Sequence, residues 1–247
     1  MTDSFKPDSI RRSLLTALVG GVAAVSLIAC GSGETTSTPN SKGDPSQFEL
    51  ANDHGIGAED AAVTLVEYAS VTCPHCSNWS KTVYPDLKKK YIDTGKVRYI
   101  FRPFPTPPQD LADAGHMIAM CSGDDKFLTN IKYQFDNQEQ ILNMARAGDA
   151  RKAYVGIAKN SGLSEEEFAE CITNPEIQQE YQAIVQSGID AGVTGTPAFI
   201  VNGKYTKKTP SGEPFYTLES IEEVILPILG EPVPEKSTQA DTEEAPE

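Results

Sequence analysis

Two cysteines separated by two residues are the strongest chemical signal in the sequence, in the segment Cys73-Pro74-His75-Cys76. At the start of a helix, such a pair can close a small disulfide. The first sulfur then lies where unpaired N–H groups and the helix dipole favour negative charge. This position lowers the pKa of the Cys73 thiol, and a more stable thiolate makes the disulfide a stronger oxidant. A protonated His75 can add a charge-assisted hydrogen bond. The spacing therefore predicts a redox-active disulfide between Cys73 and Cys76.

Three other uses of such a pair are open from the residues alone. Half of a zinc site needs a second close pair of ligands, whereas Cys121 and Cys171 lie far apart in the sequence. A c-type haem needs a histidine directly after the second cysteine, where this chain has Ser77. The third use is a purely structural disulfide. We favour redox chemistry, without a metal or a cofactor.

The N-terminus has the layout of an export signal, because basic residues precede an uncharged apolar run over 13–29. The run ends at Leu27-Ile28-Ala29-Cys30, which resembles the lipobox of bacterial lipoproteins. In that class the signal is cleaved before the cysteine, which then carries the lipid. We therefore expect residues 1–29 to be a lipoprotein-type signal peptide and Cys30 to be lipidated. An uncleaved membrane anchor and an ordinary signal peptide cut near Ala29 are the alternatives.

Polar segments flank the part of the chain that can fold. Residues 30–47 contain almost nothing apolar and predict a flexible linker, whereas the Pro- and Glu-rich residues 231–247 predict a disordered acidic tail. The formal net charge of −14 opposes binding to nucleic acid. Together with the signal, these features predict a protein on the periplasmic side of the bacterial cell envelope, anchored to a membrane by lipid.

The remaining cysteines fit an oxidising compartment. Four are left of the five when Cys30 is set aside, and four cysteines allow three connectivities. The pairing that we favour joins Cys73 to Cys76 and Cys121 to Cys171, the second pair as a structural disulfide.

A strand, a helix and a second strand surround the cysteine pair. Residues 63–69 are β-branched and apolar, which predicts a buried strand running into the cysteine motif. Residues 77–91 predict a helix that Pro85 kinks, and residues 97–101 predict the next strand. This order and spacing predict a βαβ unit with parallel strands.

Helices dominate the chain from Pro108 to about Ala191. Ser164 and Glu167 have the spacing of a capping box, and Asn174-Pro175 predicts the start of the last helix of this block. We expect His116, in this block, to be a partly buried histidine with no ligand role, and we expect His54 to lie in a loop.

A hairpin and a helix close the pattern. Residues 198–201 predict a strand, Asn202-Gly203 predicts the turn, and a second arm begins at Lys204. Thr217 is a suitable N-cap for an amphipathic helix over residues 218–229.

The order of these elements resembles the thioredoxin-like DsbA family of bacterial envelope disulfide oxidoreductases. The motifs that carry the resemblance are Cys73-Pro74-His75-Cys76 and Gly195-Thr196-Pro197, the second standing directly before the hairpin. The resemblance implies an α/β protein of thioredoxin-like fold with an inserted helical domain. It implies that the thioredoxin-like domain comprises residues 48–107 and 191–230 and that the inserted helical domain comprises residues 108–190.

The resemblance also implies roles for individual residues. It implies that Cys73 is an exposed sulfur attacked by a client thiolate and that Cys76 is its buried partner, which leaves. It implies that Pro197 is a cis-proline facing the disulfide and that Thr196 offers backbone groups to an extended client peptide. It implies that His75 tunes the Cys73 thiolate.

A further acidic residue follows from the resemblance. Glu67, six residues before Cys73, matches a buried acid that in the family helps to move the proton on Cys76; an exposed strand position is the alternative. No lysine obviously matches the family's partner for this acid, and Arg98 or Arg102 is the expected substitute.

The activity that the resemblance implies is the introduction of disulfide bonds into exported proteins. The expected partners are unfolded or reduced exported proteins and a membrane redox partner that reoxidises the cysteine pair. Thr196, before the proline, is more like the isomerases than the best-known oxidases, so an isomerase or reductase is one alternative. A metal-binding or client-binding envelope module is the alternative from a different class.

Overall fold

The computed structural model describes residues 48–234 of the chain. The expectations for the signal peptide 1–29, the lipidated Cys30, the linker 30–47 and residues 235–247 of the acidic tail therefore lie outside the described residues. The strands are β1 His54–Ile56, β2 Val63–Ala69, β3 Val97–Pro103, β4 Ala198–Val201 and β5 Lys204–Thr206. The helices are α1 Pro74–Thr82, α2 Tyr84–Leu87, α3 Gln109–Cys121, α4 Asp124–Asp136, α5 Gln138–Arg146, α6 Ala150–Asn160, α7 Glu165–Thr173, α8 Pro175–Asp190 and α9 Leu218–Leu229.

The strands form one mixed sheet in the order β1-β3-β2-β4-β5. The central strand β2 is buried along its whole length and pairs in parallel with β3, as the βαβ pattern predicts. The strand β3 runs two residues beyond its predicted end, because Arg102 and Pro103 stay in register with Tyr68 and Ala69 of β2. A charged residue followed by proline does not have a strand pattern, so only the pairing with β2 reveals this extension.

The edge strand β1 is absent from the sequence-based prediction. The expectation that His54 lies in a loop is wrong: His54 pairs with Phe101 of β3, and its ring stacks on Phe127 at a centroid distance of 3.8 Å. Three residues that include a glycine are too few to show the alternation of a strand. The tertiary pairing decides the conformation of this segment.

The helix that carries the cysteine pair begins earlier than predicted, at Pro74 instead of Ser77. It ends at Thr82, and α2 follows with Pro85 in its first turn. Proline has no N–H to donate to the preceding turn, so the predicted kink becomes a break between two helices. A π-helical turn, Lys88–Ile92, continues α2.

Six helices, α3 to α8, lie in the chain between β3 and β4 and form the helical insertion. The capping box is present as predicted, because the Glu167 backbone N–H donates to Ser164 Oγ at 3.1 Å and the Ser164 N–H donates to Glu167 Oε2 at 2.7 Å. Asn174 caps α8 as predicted, since its Oδ1 accepts from the Glu176 N–H at 2.8 Å. A disulfide between Cys121 and Cys171 joins α3 to α7, with a Cα–Cα distance of 6.1 Å.

Aromatic side chains pack α1 against the sheet. The indole of Trp79 lies 5.0 Å from the ring of Phe199 in β4 and 6.5 Å from the ring of Tyr99 in β3, as centroid distances. Burial of such rings is the main apolar stabilisation available to a domain of this kind. This packing fixes α1, and with it the cysteine pair, over the centre of the sheet. In the part of the chain that the structure describes, no helix is long and apolar enough to span a bilayer.

Candidate active site

Cys73 occupies the N-cap of α1, and Pro74 stands in the first turn of that helix. The preceding turn is closed by a hydrogen bond from the Cys73 N–H to the Ser70 carbonyl at 3.0 Å. The Ser70 hydroxyl accepts from the backbone N–H groups of Thr72 and Thr106. Because this turn leads directly from β2 into α1, the Cys73 sulfur lies at the end of the helix where N–H groups have no helical partner.

The Cys73 sulfur is held in surroundings that favour the thiolate, and both cysteines of the pair are free thiols in this structure. The pKa of Cys73 falls from 9.0 to about 5, and the largest cause is a hydrogen bond from the Cys76 thiol. The Thr196 side chain and the backbone N–H groups of Cys76 and His75 lower this pKa further, whereas burial opposes the shift. The sulfur that carries the charge is therefore Cys73.

The pKa of the Cys76 thiol is shifted in the opposite direction. Burial raises the pKa of its thiol well above the ordinary value, and the hydrogen bond to Cys73 and the charge of Glu67 add to the effect. The contact between the two sulfurs thus stabilises the anion on one and the proton on the other. At neutral pH the reduced pair carries one negative charge, on the first cysteine.

The structure corrects the expectation that Cys73 is an exposed sulfur. The residue is only 6 % exposed, and as a thiol it donates to the backbone carbonyl of Thr196 at 3.4 Å. The Thr196–Pro197 bond is cis and directly precedes β4, which pairs antiparallel with β2. This pairing brings the Thr196-Pro197 segment against the end of β2, so it lies over the cysteine pair.

Glu67 lies in β2 and is 1 % exposed, so the alternative of an exposed strand position is wrong. Burial raises the pKa of its carboxyl from 4.5 to about 8, a hydrogen bond from Tyr99 lowers it, and the Cys73 charge raises it. The Tyr99 hydroxyl donates to Glu67 Oε2 at 2.6 Å. A carboxyl with such a pKa can exchange a proton near neutral pH.

The expectation that Arg98 or Arg102 is the partner of Glu67 is wrong. Glu67 is opposite Phe101 in the register of β2 and β3, so Tyr99 faces the same side of the sheet and both arginines face the other. Arg98 binds Glu49 at 3.0 Å, and Arg102 binds Asp53 at 2.6 Å. The alternation of side chains along β3 is a sequence signal that could have identified Tyr99.

Two side chains that line one small cavity each carry a buried polar atom without a partner within the described residues. Glu67 Oε1 and Trp79 Nε1 have no hydrogen-bond partner among residues 48–234. Both side chains line a cavity of about 20 Å³, which is room for one water molecule. The cavity also contacts the Lys132 side chain, which is exposed to solvent. The cavity is thus lined both by the buried Glu67 and by a side chain that reaches solvent.

Comparison with known proteins decides the family. The thioredoxin family model matches residues 49–218, which is more than half of the chain. The chain is a DsbA-like member of the thioredoxin family. A crystal structure of Wolbachia pipientis α-DsbA1 is similar at 28 % identity and a TM-score of 0.63, over 76 % of this chain and 96 % of that one.

Curated relatives give the same family. A protein of Rickettsia typhi that is named for protein-disulfide oxidoreductase activity is 37 % identical over 159 residues, which is 63 % of this chain and 57 % of the relative. Disulfide bond formation protein D of Bacillus cereus is 28 % identical, over 63 % of this chain and 73 % of the relative. This DsbA-like chain spans less than two thirds of the length of the rickettsial relatives that it matches.

The structure brings together the predicted site residues of this DsbA-like protein, with one change in how His75 acts. The imidazole of His75 is exposed, whereas its backbone N–H contributes to the low pKa of Cys73. The His75 carbonyl accepts from the Tyr216 hydroxyl at 3.4 Å. Sequence reasoning missed Tyr216 and Tyr99, because neither stands near the cysteines in the chain.

Proposed function

We propose that the protein is a thiol-disulfide oxidoreductase that introduces disulfide bonds into exported proteins, with Cys73 and Cys76 as its redox-active pair. The observation that carries the proposal is the stabilised thiolate at Cys73, whose pKa of about 5 lies far below that of an ordinary thiol. A thiolate of low pKa is a good leaving group, and its stability makes the corresponding disulfide oxidising. The pair is therefore suited to passing its disulfide on to a client.

The reaction is a dithiol–disulfide exchange that needs no cofactor. A client thiolate attacks the Cys73 sulfur of the oxidised pair, the bond between Cys73 and Cys76 breaks, and a mixed disulfide forms. Cys76 leaves as a thiolate and takes a proton, which Glu67 supplies because its carboxyl is still protonated at neutral pH. The second client thiolate attacks the client sulfur of the mixed disulfide and releases Cys73 as the stable anion. Two electrons pass from the client to the pair.

The Thr196-Pro197 segment is the place where a client peptide binds in this proposal. Its backbone lies over the cysteine pair, at 3.4 Å from Thr196 O to the Cys73 sulfur. An extended peptide that pairs with this backbone brings its own sulfur to the edge of Cys73, which is otherwise covered. Such pairing recognises backbone, so it suits many unfolded or reduced clients.

The proposed place of action is the periplasmic side of the cell envelope. The support is the export signal at 1–29, with Cys30 as the lipidated residue and 30–47 as the tether. A membrane redox partner that accepts two electrons from the reduced pair completes the cycle. Both the anchor and this partner are proposals that rest on sequence and family.

Oxidation of a reduced two-cysteine peptide by the oxidised protein tests the function. We expect stoichiometric formation of the peptide disulfide, and we expect the Cys73→Ser variant to form none. The Ser122→Ala variant is the control, because the Ser122 hydroxyl donates to Ala119 O at the end of its own helix, and this variant should leave the reaction unchanged. Full activity of Cys73→Ser would end the proposal.

An isomerase is the second candidate, because Thr196 precedes the cis-proline and approaches the sulfur directly. The reduction potential separates the candidates. We expect a value nearer to the roughly −120 mV of a strong oxidase than to the roughly −270 mV of thioredoxin. A potential near that of thioredoxin, with faster repair of a scrambled disulfide protein than oxidation of a reduced one, would favour the isomerase.

A further inference from the structure

The loop that carries Cys73 is held by side chains from outside the thioredoxin part of the fold. This active-site loop, residues 70–73, links β2 to α1. Its backbone binds His116 of α3 and Gln138 at the start of α5, both of which belong to the helical insertion. His116 is completely buried and Gln138 is 7 % exposed. The prediction that His116 is only partly buried is therefore wrong.

Gln138 bridges two carbonyl groups of the active-site loop. Its Nε2 donates to Val71 O at 2.8 Å and to Cys73 O at 3.0 Å, so both hydrogens of the amide are used. Cys73 O also accepts the first backbone bond of α1, from the Ser77 N–H at 3.1 Å. The direction of this carbonyl sets the peptide plane from which α1 starts. Gln138 thereby fixes where the first amides of α1 point.

His116 holds the same loop through the Val71 N–H, which donates to His116 Nε2 at 3.2 Å. With Nε2 as an acceptor, Nδ1 carries the hydrogen and donates to the Tyr181 hydroxyl, at 3.3 Å. Tyr181 in turn donates to Asp113 Oδ1 at 2.6 Å. Burial lowers the pKa of His116 to about 3. The ring therefore stays neutral, and Nε2 stays an acceptor, at neutral pH.

We propose that Gln138 and His116 are positioning residues through which the helical insertion holds the active-site loop so that the first amides of α1 face the Cys73 sulfur. This inference rests on the proposed function and deepens it. Val71 offers a buried N–H and a buried C=O, and a buried backbone group that loses its only partner is destabilising. Loss of Gln138 or His116 therefore lets the active-site loop move until its backbone groups find other partners, and the Cys73 sulfur moves with the loop.

The test compares two buried glutamines of the insertion. Gln138→Met removes both donors from the active-site loop while keeping the length of the side chain. Gln134→Met is the matched control, because Gln134 Nε2 donates to Gly115 O at 2.9 Å and to Asn130 Oδ1 at 2.6 Å, both inside the insertion. The two variants lose the same number of hydrogen bonds, but only one of them loosens the active-site loop.

The readouts are the pKa of Cys73, from the far-ultraviolet absorbance of the thiolate, and the reduction potential of the pair. For Gln138→Met we expect the pKa to rise by about one unit, a tenfold loss of thiolate stability, and the potential to become about 30 mV more reducing. For Gln134→Met we expect a lower melting temperature with both quantities unchanged. Equal shifts in both variants, or no shift in Gln138→Met, would overturn the inference.

Two further measurements keep the outcome clear. If Gln138→Met does not fold, Gln138→Asn keeps the donors but withdraws them by one methylene, and it must shift the Cys73 pKa upward. The unmodified protein separates this inference from the proposed function. If the pKa of Cys73 is low in the unmodified protein and Gln138→Met does not change it, only the positioning role of Gln138 is refuted. If the pKa of Cys73 in the unmodified protein is that of an ordinary thiol, the proposed function itself is refuted.

Discussion

At the scale of single residues, the site works by making two neighbouring thiols unequal. Cys76 donates to Cys73, which lowers the pKa of the first thiol and raises that of the second. Glu67, whose charge acts on Cys76, has a pKa of about 8 and therefore holds a proton at neutral pH, which we propose the leaving thiolate of Cys76 takes up. In the proposed reaction, the three groups provide a leaving group, a protected partner and a proton store.

Glu67→Gln removes this proton store while keeping the size of the side chain. We expect the reaction of the oxidised protein with a reduced peptide to slow by at least about tenfold at pH 7, because general acid catalysis contributes about 10²–10⁴-fold in enzymes. The fluorescence of Trp79, the one tryptophan of the chain, follows the reaction in a stopped-flow instrument.

The control for this variant is Glu222→Gln. Glu222 is also buried and also accepts from a tyrosine, Tyr91, at 2.7 Å, but it belongs to α9. We expect its reaction rate to match that of the unmodified protein. Equal rates for Glu67→Gln and the unmodified protein would show that Glu67 takes no part in proton transfer.

At the scale of elements, sequence patterns predict the strands, helix caps and helices whose formation depends on residues close together in the chain. The strand at 63–69, the capping box at Ser164 and the helix over 218–229 match the structure, because periodicity and capping depend on neighbours in the chain. The edge strand β1 and the end of β3 depend on pairing with distant strands. They therefore do not show in the sequence.

The same distinction applies to the site. The cysteine motif and the Thr196-Pro197 segment are recognisable because each is a short motif. The contacts of Tyr99 with Glu67 and of Gln138 with the active-site loop join residues 32 and 65 or more positions apart. Only the strand register and the packing of the insertion bring them together.

The disulfide between α3 and α7 is an element-scale feature with a measurable contribution. It closes a loop with a sequence separation of 50 residues. The double variant Cys121→Ala with Cys171→Ala should lower the free energy of unfolding by about 3–4 kcal/mol, because the unfolded chain regains the entropy of the open loop. Urea denaturation of the oxidised proteins measures this difference. A loss below about 1 kcal/mol would show that the bond contributes little.

At the scale of the whole molecule, the buried Glu67 lowers the free energy of unfolding at neutral pH. The pKa of Glu67 is raised from 4.5 to about 8 in the folded protein. Between these values the folded state keeps a proton that the unfolded state releases. This group's contribution to the free energy of unfolding is therefore complete below about pH 4.5 and is lost as the pH rises to about 8.

Glu67→Gln should remove this pH dependence. We expect the variant to melt above the unmodified protein at pH 8 by at least about 3 °C, the shift that roughly 1 kcal/mol makes in a domain of this size. At pH 4.5 we expect the difference to be smaller. Calorimetry of both proteins at the two pH values measures it, and a difference that does not grow with pH would show that Glu67 is not titrating in this range.

The titration of the Cys73 thiol shows whether the fold stabilises its thiolate. Both cysteines must be present, because the Cys76 thiol makes the largest contribution to the low pKa of Cys73. The measurement therefore uses the unmodified reduced protein, with thiolate absorbance followed from pH 3 to pH 10. We expect a first transition near pH 5, from Cys73, and none from Cys76 until well above pH 9. A first transition near pH 9, as for a free cysteine, would show that the fold does not stabilise the Cys73 thiolate.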